Sequence, residues 1–305
     1  MNTIFSNTDQ VEMIALEHET ILQSSLRAGI KHTHVCGGHA RCSTCRIHVL
    51  GGLENCQSRN EAEQSMQAML DLPDNVRLAC QTTVQGHISI RRLVIDDLDT
   101  RIIRNQLSSQ NENSMGHEKD IAVVFVDLEN YTPFAESLPA YDVVHILNRY
   151  YLTMNQIITE HHGVISDVAG DGMLVLFGVC KKQKESVLDA VNAVKAIHAA
   201  LKDFNQHLRK MYQRSFSIRA GIHYGPAIVG QFNTGAMHKI AAIGDTVNLA
   251  SRIEQANKQF GSRLLLSEAA YAQLQDAIPA SSIYSAELKG KTGMHALYEI
   301  DISTL

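Results

Sequence analysis

Four of the six cysteines have the spacing of ligands for one small inorganic cluster. Cys36, Cys42 and Cys45 fall in CGGHARCSTC, a C-x5-C-x2-C pattern, and Cys80 follows in RLACQT. The first three thiolates therefore lie on a single loop, and the fourth arrives from a distant segment. Thiolates arranged in this way can surround one cluster of iron and sulfide. The pattern predicts a redox centre.

Two short acidic motifs near the middle of the chain indicate phosphate chemistry. Asp127 ends an apolar run in VVFVDLENYTPF, and Asp171 lies at a predicted hairpin turn in VAGDGMLVLFG. We expect both carboxylates to meet at one sheet edge, where they could bind two divalent cations and a triphosphate. The Leu128 carbonyl could add an oxygen ligand. The next residues could offer backbone N–H groups to phosphate before a short helix; they are Glu129, Asn130, Tyr131 and Thr132.

Length and composition are those of a folded protein of about two domains. The chain has 305 residues, of which 45% are hydrophobic and 19% charged, with a formal net charge of −5. No basic run is present, which argues against a nucleic-acid partner. No apolar run approaches the roughly 18 to 20 residues of a membrane helix, and no signal peptide is visible. We therefore expect a cytoplasmic protein without a disulfide framework or a membrane contact.

The first hundred residues predict an α+β unit. We expect two strands within 2–16, a helix within 19–29, a strand at RIHVLGG, a helix over 60–70, and strands in VRLACQTTV and HISIRRLVI. Residues 96–107 have apolar side chains at helical spacing and predict a coupling helix. Residues 108–119 are polar and aperiodic, which is typical of a linker.

The remaining residues predict an antiparallel sheet covered by helices. The expected order starts with a strand over 121–127, a helix over 140–162 and a hairpin at Gly170-Asp171. A helix over about 184–210, strands around Gly225-Pro226, a helix over 244–260 and two strands within 282–300 follow. The resulting β-α-β-β-α-β order with added elements is of the α+β class.

Two family resemblances cover nearly the whole chain. Residues 1–95 resemble a vertebrate-type (adrenodoxin-like) 2Fe–2S ferredoxin through ILQSSLRAGI, CGGHARCSTC and RLACQT. Residues 120–300 resemble the class III nucleotidyl cyclase catalytic domain through FVDLENYTPF, GDGMLVLFG, RAGIHYGPAIVG and IGDTVNLASRIE. The resemblances imply a β-grasp domain at 1–95, a coupling helix and linker at 96–119, and a cyclase domain with a ferredoxin-like βαββαβ core at 120–305.

The resemblances also imply cofactors and roles for single residues. The implied ligands of the 2Fe–2S cluster are Cys36, Cys42, Cys45 and Cys80. The implied ligands of two Mg²⁺ or Mn²⁺ ions are Asp127, Leu128 and Asp171. In the cyclase family the remaining catalytic groups come from a partner chain, so a head-to-tail homodimer is expected. Asn248 would orient the ribose, Arg252 would stabilise charge at the α-phosphate, and Lys289 would bind the terminal phosphates, with Lys291 as an alternative.

The base-pocket positions depart from the adenine-specific pattern. Asp167 stands where adenylate cyclases commonly have a lysine, and Ala241 where they often have Asp or Thr. A carboxylate accepts hydrogen bonds and would suit the N1–H and N2–H₂ of guanine, whereas a lysine would donate to adenine N1. Family frequency favours ATP as the substrate, and GTP is the alternative.

Other cysteines and histidines have simpler interpretations. Cys180 follows a strand-like run and is expected to be a buried thiol, and Cys56 is expected in an exposed loop without a redox role. His34, His39 and His48 surround the cysteine loop, but four cysteines already complete a 2Fe–2S cluster, so we expect surface histidines.

Three functions remain open from the sequence. The first is an adenylate cyclase regulated by the redox state or presence of the cluster, with a redox partner protein. The second is an electron-transfer ferredoxin that carries a degenerate nucleotide-binding module. The third is a constitutive cyclase in which the cluster is a structural element.

Overall fold

The computed structural model describes residues 2–93, 117–179, 185–233, 238–275 and 277–302. The chain divides into two compact units, residues 1–112 and 113–305. In the described part of the chain, no helix is long and apolar enough to cross a membrane. The predicted coupling helix over 96–107 and Cys180 lie outside the described residues.

The described residues of the N-terminal unit form a five-stranded mixed sheet with two α-helices, and the strand order is β2-β1-β5-β3-β4. Strands β1 and β5 pair in parallel, and the other pairs are antiparallel. The elements are β1 (Asn2–Ser6), β2 (Val11–Ala15), α1 (Ile21–Arg27), β3 (Arg46–Gly51), α2 (Glu61–Leu70), β4 (Val76–Leu78) and β5 (His87–Arg92). Every element predicted between residues 2 and 93 is present.

Local signals explain where the two helices of this unit begin. Thr20 and Gln23 form a capping box at the start of α1, and the Asn60 side chain accepts from the Glu63 N–H at the start of α2. Each cap satisfies backbone donors that the first helical turn leaves free. The Glu63 carboxylate also forms a buried bidentate ion pair with Arg77, with Nε–Oε1 and Nη2–Oε2 distances of 2.9 and 2.8 Å. This pair fixes α2 to β4 just before Cys80.

The C-terminal unit is built on an eight-stranded sheet. Its strand order is β12-β13-β11-β9-β6-β8-β7, and β10 pairs with β9. The strands are β6 (His117–Leu128), β7 (Val164–Ala169), β8 (Gly172–Phe177), β9 (Ile218–Asn233), β10 (His238–Ile243), β11 (Leu264–Ser267), β12 (Ser282–Glu287) and β13 (Met294–Glu299). The helices are α3 (Tyr131–Glu136), α4 (Ala140–Glu160), α5 (Ser186–Tyr212), α6 (Asp245–Phe260) and α7 (Glu268–Tyr271).

Strand β6 lies at the centre of this sheet and separates two layers of core. Val124, Val126 and Leu128 point to the face covered by α4 and α5, whereas Val123 and Phe125 belong to the cluster on the α6 face. Successive side chains of a strand alternate between the faces. Asp127 therefore emerges on the α6 face, at the end of the strand.

The C-terminal unit departs from the sequence prediction at β6 and β9, and strands β10 and β11 were not predicted. Strand β6 begins at His117, so 117–119, predicted as linker, are strand. Strand β9 runs unbroken through Gly225-Pro226, where a break between two strands was predicted. Pairing of β9 with β11 ends at Ile222, and its pairing with β10 starts at Ile228. Pro226 falls between them, where its missing N–H costs no ladder bond on that side.

Candidate functional site

The four predicted cluster cysteines form two pairs in the N-terminal unit. Cys36 shares a hydrogen bond with Cys42, and Cys45 shares one with Cys80. The hydrogen bond raises the pKa of Cys45 and lowers the pKa of Cys80 to about 6. None of the five described cysteines, Cys56 included, forms a disulfide. The sulfurs thus approach one another as reduced thiols in two pairs.

The loop that carries these cysteines directs backbone N–H groups at sulfur. Burial opposes ionisation of Cys36, but hydrogen bonds from Cys42 and from the backbone of Arg41, His39 and Gly38 lower its pKa. The backbone of Ala40 donates to Cys80. Gly38 and Ala40 have φ of 88° and 52°. This left-handed backbone, strained at Ala40, is retained where N–H groups must converge.

These residues fit a two-iron cluster better than a single metal ion. In the described part of the chain, no three His, Cys, Asp or Glu side chains are grouped to bind one ion. A 2Fe–2S cluster instead needs two thiolates for each iron and tolerates N–H donors at its sulfurs. Cys36 with Cys42 would hold one iron, and Cys45 with Cys80 the other.

The neighbouring residues have structural roles. His34 Nδ1 bonds the His32 carbonyl at 2.7 Å, and His48 Nε2 bonds Asn75 at 2.7 Å, while His39 is exposed. Cys56 was expected to be exposed but is partly buried against the core, and burial raises its pKa. A raised pKa disfavours the reactive thiolate.

In the C-terminal unit, the structure brings Asp127 and Asp171 together. Ala169 pairs with Gly172 across the β7–β8 hairpin, so Gly170 and Asp171 form its two-residue turn. A Cβ placed on Gly172 would lie 3.6 Å from Asp127 Oδ1, which shows how closely the turn approaches β6. Burial, and then the charge of Asp171, raises the pKa of Asp127. A cation between two adjacent carboxylates would offset their repulsion and favour the ionised form of both.

The segment after Asp127 fits its predicted role only in part. The Leu128 side chain is buried in the core. The Glu129 side chain accepts from Ser217 and forms an ion pair with Arg219, and its N–H donates to the Ser217 carbonyl at 2.8 Å. Glu129 was predicted to offer its N–H to phosphate; that prediction is wrong, because the N–H completes β-pairing with the segment before β9.

The start of helix α3 retains the N–H groups that the prediction requires. The helix begins at Tyr131, and Asn130 precedes it with a φ of 59°. The first N–H groups of a helix have no intrahelical partner, so those of Tyr131 and Thr132 are the donors that remain. Pro133 has no N–H to add.

Two tyrosines of α4 border the carboxylate pair and were not predicted from the sequence. The Tyr151 hydroxyl donates to the Gly170 carbonyl in the hairpin turn. Burial is the larger cause, and the charge of Asp171 the next, of a Tyr151 pKa raised to about 12. Tyr150 is fully buried, and its hydroxyl has no hydrogen-bond partner among the described residues. Only their adjacency in the YY sequence of α4 could have drawn attention to them.

Helix α6 presents its predicted residues on the outer face. Asn248 is exposed and Arg252 is partly exposed, with Arg252 Nη1 3.2 Å from Gln255 Oε1. The inner face packs so tightly that a Cβ on Gly221 would lie 2.1 Å from the Glu254 backbone nitrogen. Burial, and then the charge of Asp127, raises the pKa of Glu254 to about 7.

The remaining predicted residues lie on other elements of the same unit. Asp167 is exposed on β7. Ala241 lies on β10, where it pairs with Gly230 of β9. Strands β7 and β10 contact each other. Lys289 is exposed in the β12–β13 turn, whereas Lys291 forms an ion pair with Asp245.

Within the described residues, no hydrogen bond or ion pair joins the carboxylate pair to Asn248, Arg252 or Lys289. Asp127 and Asp171 contact each other within this one chain.

Comparisons with known proteins match both units. Residues 114–300 match the model of the adenylate and guanylate cyclase catalytic domain, and residues 4–85 match that of the 2Fe-2S iron-sulfur cluster binding domain. Adenylate cyclase 1 of Rhizobium meliloti is 29% identical over 182 residues, which are 60% of this chain and 27% of that protein. The chain therefore spans about a quarter of the length of this relative.

Two solved cyclase structures share the fold of the C-terminal unit. The guanylyl cyclase Cya2 is 28% identical, with a TM-score of 0.56 over 61% of this chain and 93% of that one. The adenylyl cyclase CyaB from P. aeruginosa is 28% identical, with a TM-score of 0.55 over 61% and 95%. The predicted α+β class and both family resemblances are confirmed. The chain belongs to the adenylate and guanylate cyclase catalytic domain family and joins that domain to an N-terminal 2Fe-2S cluster binding domain.

Proposed function

We propose that this protein converts ATP to 3′,5′-cyclic AMP and pyrophosphate at the interface of a homodimer. The observation that carries the proposal is the contact between Asp127 and Asp171, at the end of β6 and in the adjacent turn. Such a pair, together with the Leu128 carbonyl, suits two Mg²⁺ or Mn²⁺ ions. When bound, the two ions lower the pKa of the ribose 3′-hydroxyl and neutralise charge on the triphosphate.

The side chains of the protein orient the substrate and stabilise the charge that develops. The 3′-oxygen forms a bond to the α-phosphorus as the bond to pyrophosphate breaks, and the hydroxyl proton leaves to solvent. Asn248 positions the ribose, and Arg252 stabilises charge on the α-phosphate. The N–H groups of Tyr131 and Thr132 and the Lys289 ammonium bind the terminal phosphates. In each site, Asp127 and Asp171 belong to one protomer, and Asn248, Arg252 and Lys289 belong to the other.

The purine is read at Asp167 and Ala241. The presence of adenylate cyclases among the matched relatives supports ATP as the substrate. The exposed Asp167 carboxylate supports GTP instead, because it can accept hydrogen bonds from guanine N1–H and N2–H₂. Guanylate cyclase activity is therefore the second candidate. Steady-state rates of cyclic AMP and cyclic GMP formation by the purified full chain, each with Mg²⁺ and Mn²⁺, decide between the two. Absence of both products would contradict the proposed function.

The N-terminal unit carries a 2Fe–2S cluster whose redox state or presence sets the cyclase rate. The support is the pairing of Cys36 with Cys42 and of Cys45 with Cys80 under backbone donors. A redox partner protein would supply or remove the electron. We expect the rate of cyclisation to differ between the oxidised, reduced and cluster-free protein, and electron paramagnetic resonance to report the cluster state. Equal rates in all three states would leave the cluster a structural element.

A further inference from the structure

A cavity of about 220 Å³ lies between helix α6 and the sheet of the C-terminal unit. Leu249 and Ile253 of α6 form one wall, and Leu288 and Leu297 line it from the hairpin of β12 and β13. Ile253, Leu288 and Leu297 are buried, so they give the cavity an apolar wall. Met294, at the rim, is 60% exposed, so a ligand could enter there.

Two imidazoles give this apolar cavity a polar wall. His223 Nδ1 lies 2.7 Å from Ser267 Oγ, and burial lowers the pKa of His223 to about 4, so this ring is neutral near pH 7. His295 lines the same cavity, and its buried Nε2 atom has no hydrogen-bond partner among the described residues. A buried polar atom without a partner is uncommon in a folded protein and marks a place for one further hydrogen bond.

The size and charge of the cavity restrict what it can bind. A cavity of about 150 Å³ holds one benzene ring, and sites for drug-sized molecules exceed about 300 Å³. Apart from the exposed Glu268, the described lining residues include no carboxylate, lysine or arginine. The cavity therefore has no buried charged side chain that could form an ion pair with a charged ligand. A fused two-ring molecule with one hydroxyl or ring N–H matches the volume, the apolar wall and the free His295 Nε2.

The cavity also lies between two elements of the proposed active site. Leu249 and Ile253 each follow a catalytic candidate on α6, namely Asn248 and Arg252, and Leu288 directly precedes Lys289. A molecule in the cavity would brace α6 against the β12–β13 hairpin without touching the substrate. We propose that this cavity is a regulatory site for a small, uncharged, two-ring aromatic molecule that hydrogen-bonds His295. The regulatory part rests on the proposed function, and the binding part does not.

Binding is tested on the full chain with 2-naphthol and with naphthalene, which has the same rings without the hydroxyl. We expect isothermal titration calorimetry to show tighter binding of 2-naphthol by about tenfold, the worth of one hydrogen bond. His295→Phe should bind both probes equally, and His295→Trp, which fills the cavity, should bind neither. His207→Phe, a partly exposed histidine of α5, is the matched control and should behave as wild type. Failure of wild-type protein to bind 2-naphthol, or unchanged binding to His295→Trp, would overturn the site.

Regulation is tested by the cyclase rate at saturating ATP. We expect 2-naphthol to change kcat at least twofold without competing with ATP, and His295→Trp to be insensitive to it. Saturation of the site without a change in kcat would overturn the regulatory part. A chain that cyclises neither ATP nor GTP would overturn the proposed function, while calorimetry would still decide whether the cavity binds the probe.

Discussion

The cysteine loop and the carboxylate pair differ in how much of each site one copy of the chain provides. All four cysteines approach one another within the N-terminal unit, and the backbone of the loop already directs donors at their sulfurs. Among the described residues of the C-terminal unit, Asp127 and Asp171 meet, while Arg252 bonds its neighbour Gln255. The cluster ligands therefore all belong to one chain, whereas the proposed catalytic site would combine residues of two copies.

The largest expected effect comes from the carboxylate pair. Asp127→Ala or Asp171→Ala should lower kcat by at least about 10³-fold, because each removes a carboxylate that, in the proposed function, both cations would share. The fold should persist. Partial burial raises the pKa of Asp127, which means that its ionised carboxylate is less favourable in the folded protein than in water, so its removal should not destabilise the fold. Circular dichroism and the rate of cyclic nucleotide formation measure the two effects.

Mixing two inactive variants tests whether the site is shared. Equal amounts of Asp127→Ala and Arg252→Ala should recover about a quarter of wild-type activity, because half of the dimers carry one intact site of two. If heterodimers form, as shown by native mass spectrometry, and no activity returns, the site is not shared across the interface.

The cluster site should respond to substitution within one chain. Cys42→Ser should lose the two irons and two sulfides expected for each chain, whereas Cys56→Ser should keep them, since only Cys42 belongs to a cysteine pair. Iron analysis and the visible spectrum of anaerobically purified protein measure this difference. Retention of the cluster by Cys42→Ser, or its loss in Cys56→Ser, would contradict the ligand assignment.

The same contrast explains which features the sequence could predict. The cysteine spacing and the Gly170-Asp171 turn are local patterns. In a strand, the Asp127 side chain must point to the face opposite to that of its neighbours Val126 and Leu128. The contact from Tyr151 to Gly170 joins a helix to a distant turn, and no local pattern encodes it. Glu129 was assigned wrongly because a motif does not reveal that strand pairing already uses its N–H.

The next largest effect concerns the stability of the cluster unit. Glu63→Ala should destabilise the N-terminal unit by about 3 to 5 kcal/mol, because it leaves the Arg77 guanidinium buried without its partner. Asp74→Ala is the matched control: it breaks the Arg59–Asp74 pair, whose carboxylate is 88% exposed, and should cost under about 1 kcal/mol. Chemical denaturation followed by the cluster absorbance compares them. Equal costs would show that burial does not decide the strength of these pairs.

A smaller effect is expected where α4 meets the hairpin. Tyr151→Phe removes the hydrogen bond to the Gly170 carbonyl and should lower kcat about tenfold, because the turn that carries Asp171 loses a fixed position. Tyr150→Phe is the control, since that hydroxyl has no partner among the described residues. An increased requirement for Mg²⁺ in Tyr151→Phe alone would show that the turn, and not the core, is affected. Equal loss in both variants would assign the effect to packing.

The smallest and most specific effect should appear at the base. Asp167→Lys replaces an acceptor with a donor on an exposed position of β7, so the ratio of kcat/KM for ATP to that for GTP should rise about tenfold. An ammonium donates to adenine N1 but meets the N1–H and N2–H₂ of guanine unfavourably. Asp142→Lys, on the first turn of α4, makes the same change of charge on a different element and should leave the ratio unchanged. A ratio that does not move in Asp167→Lys would show that this carboxylate does not face the purine, and base choice would then depend on other residues of the interface.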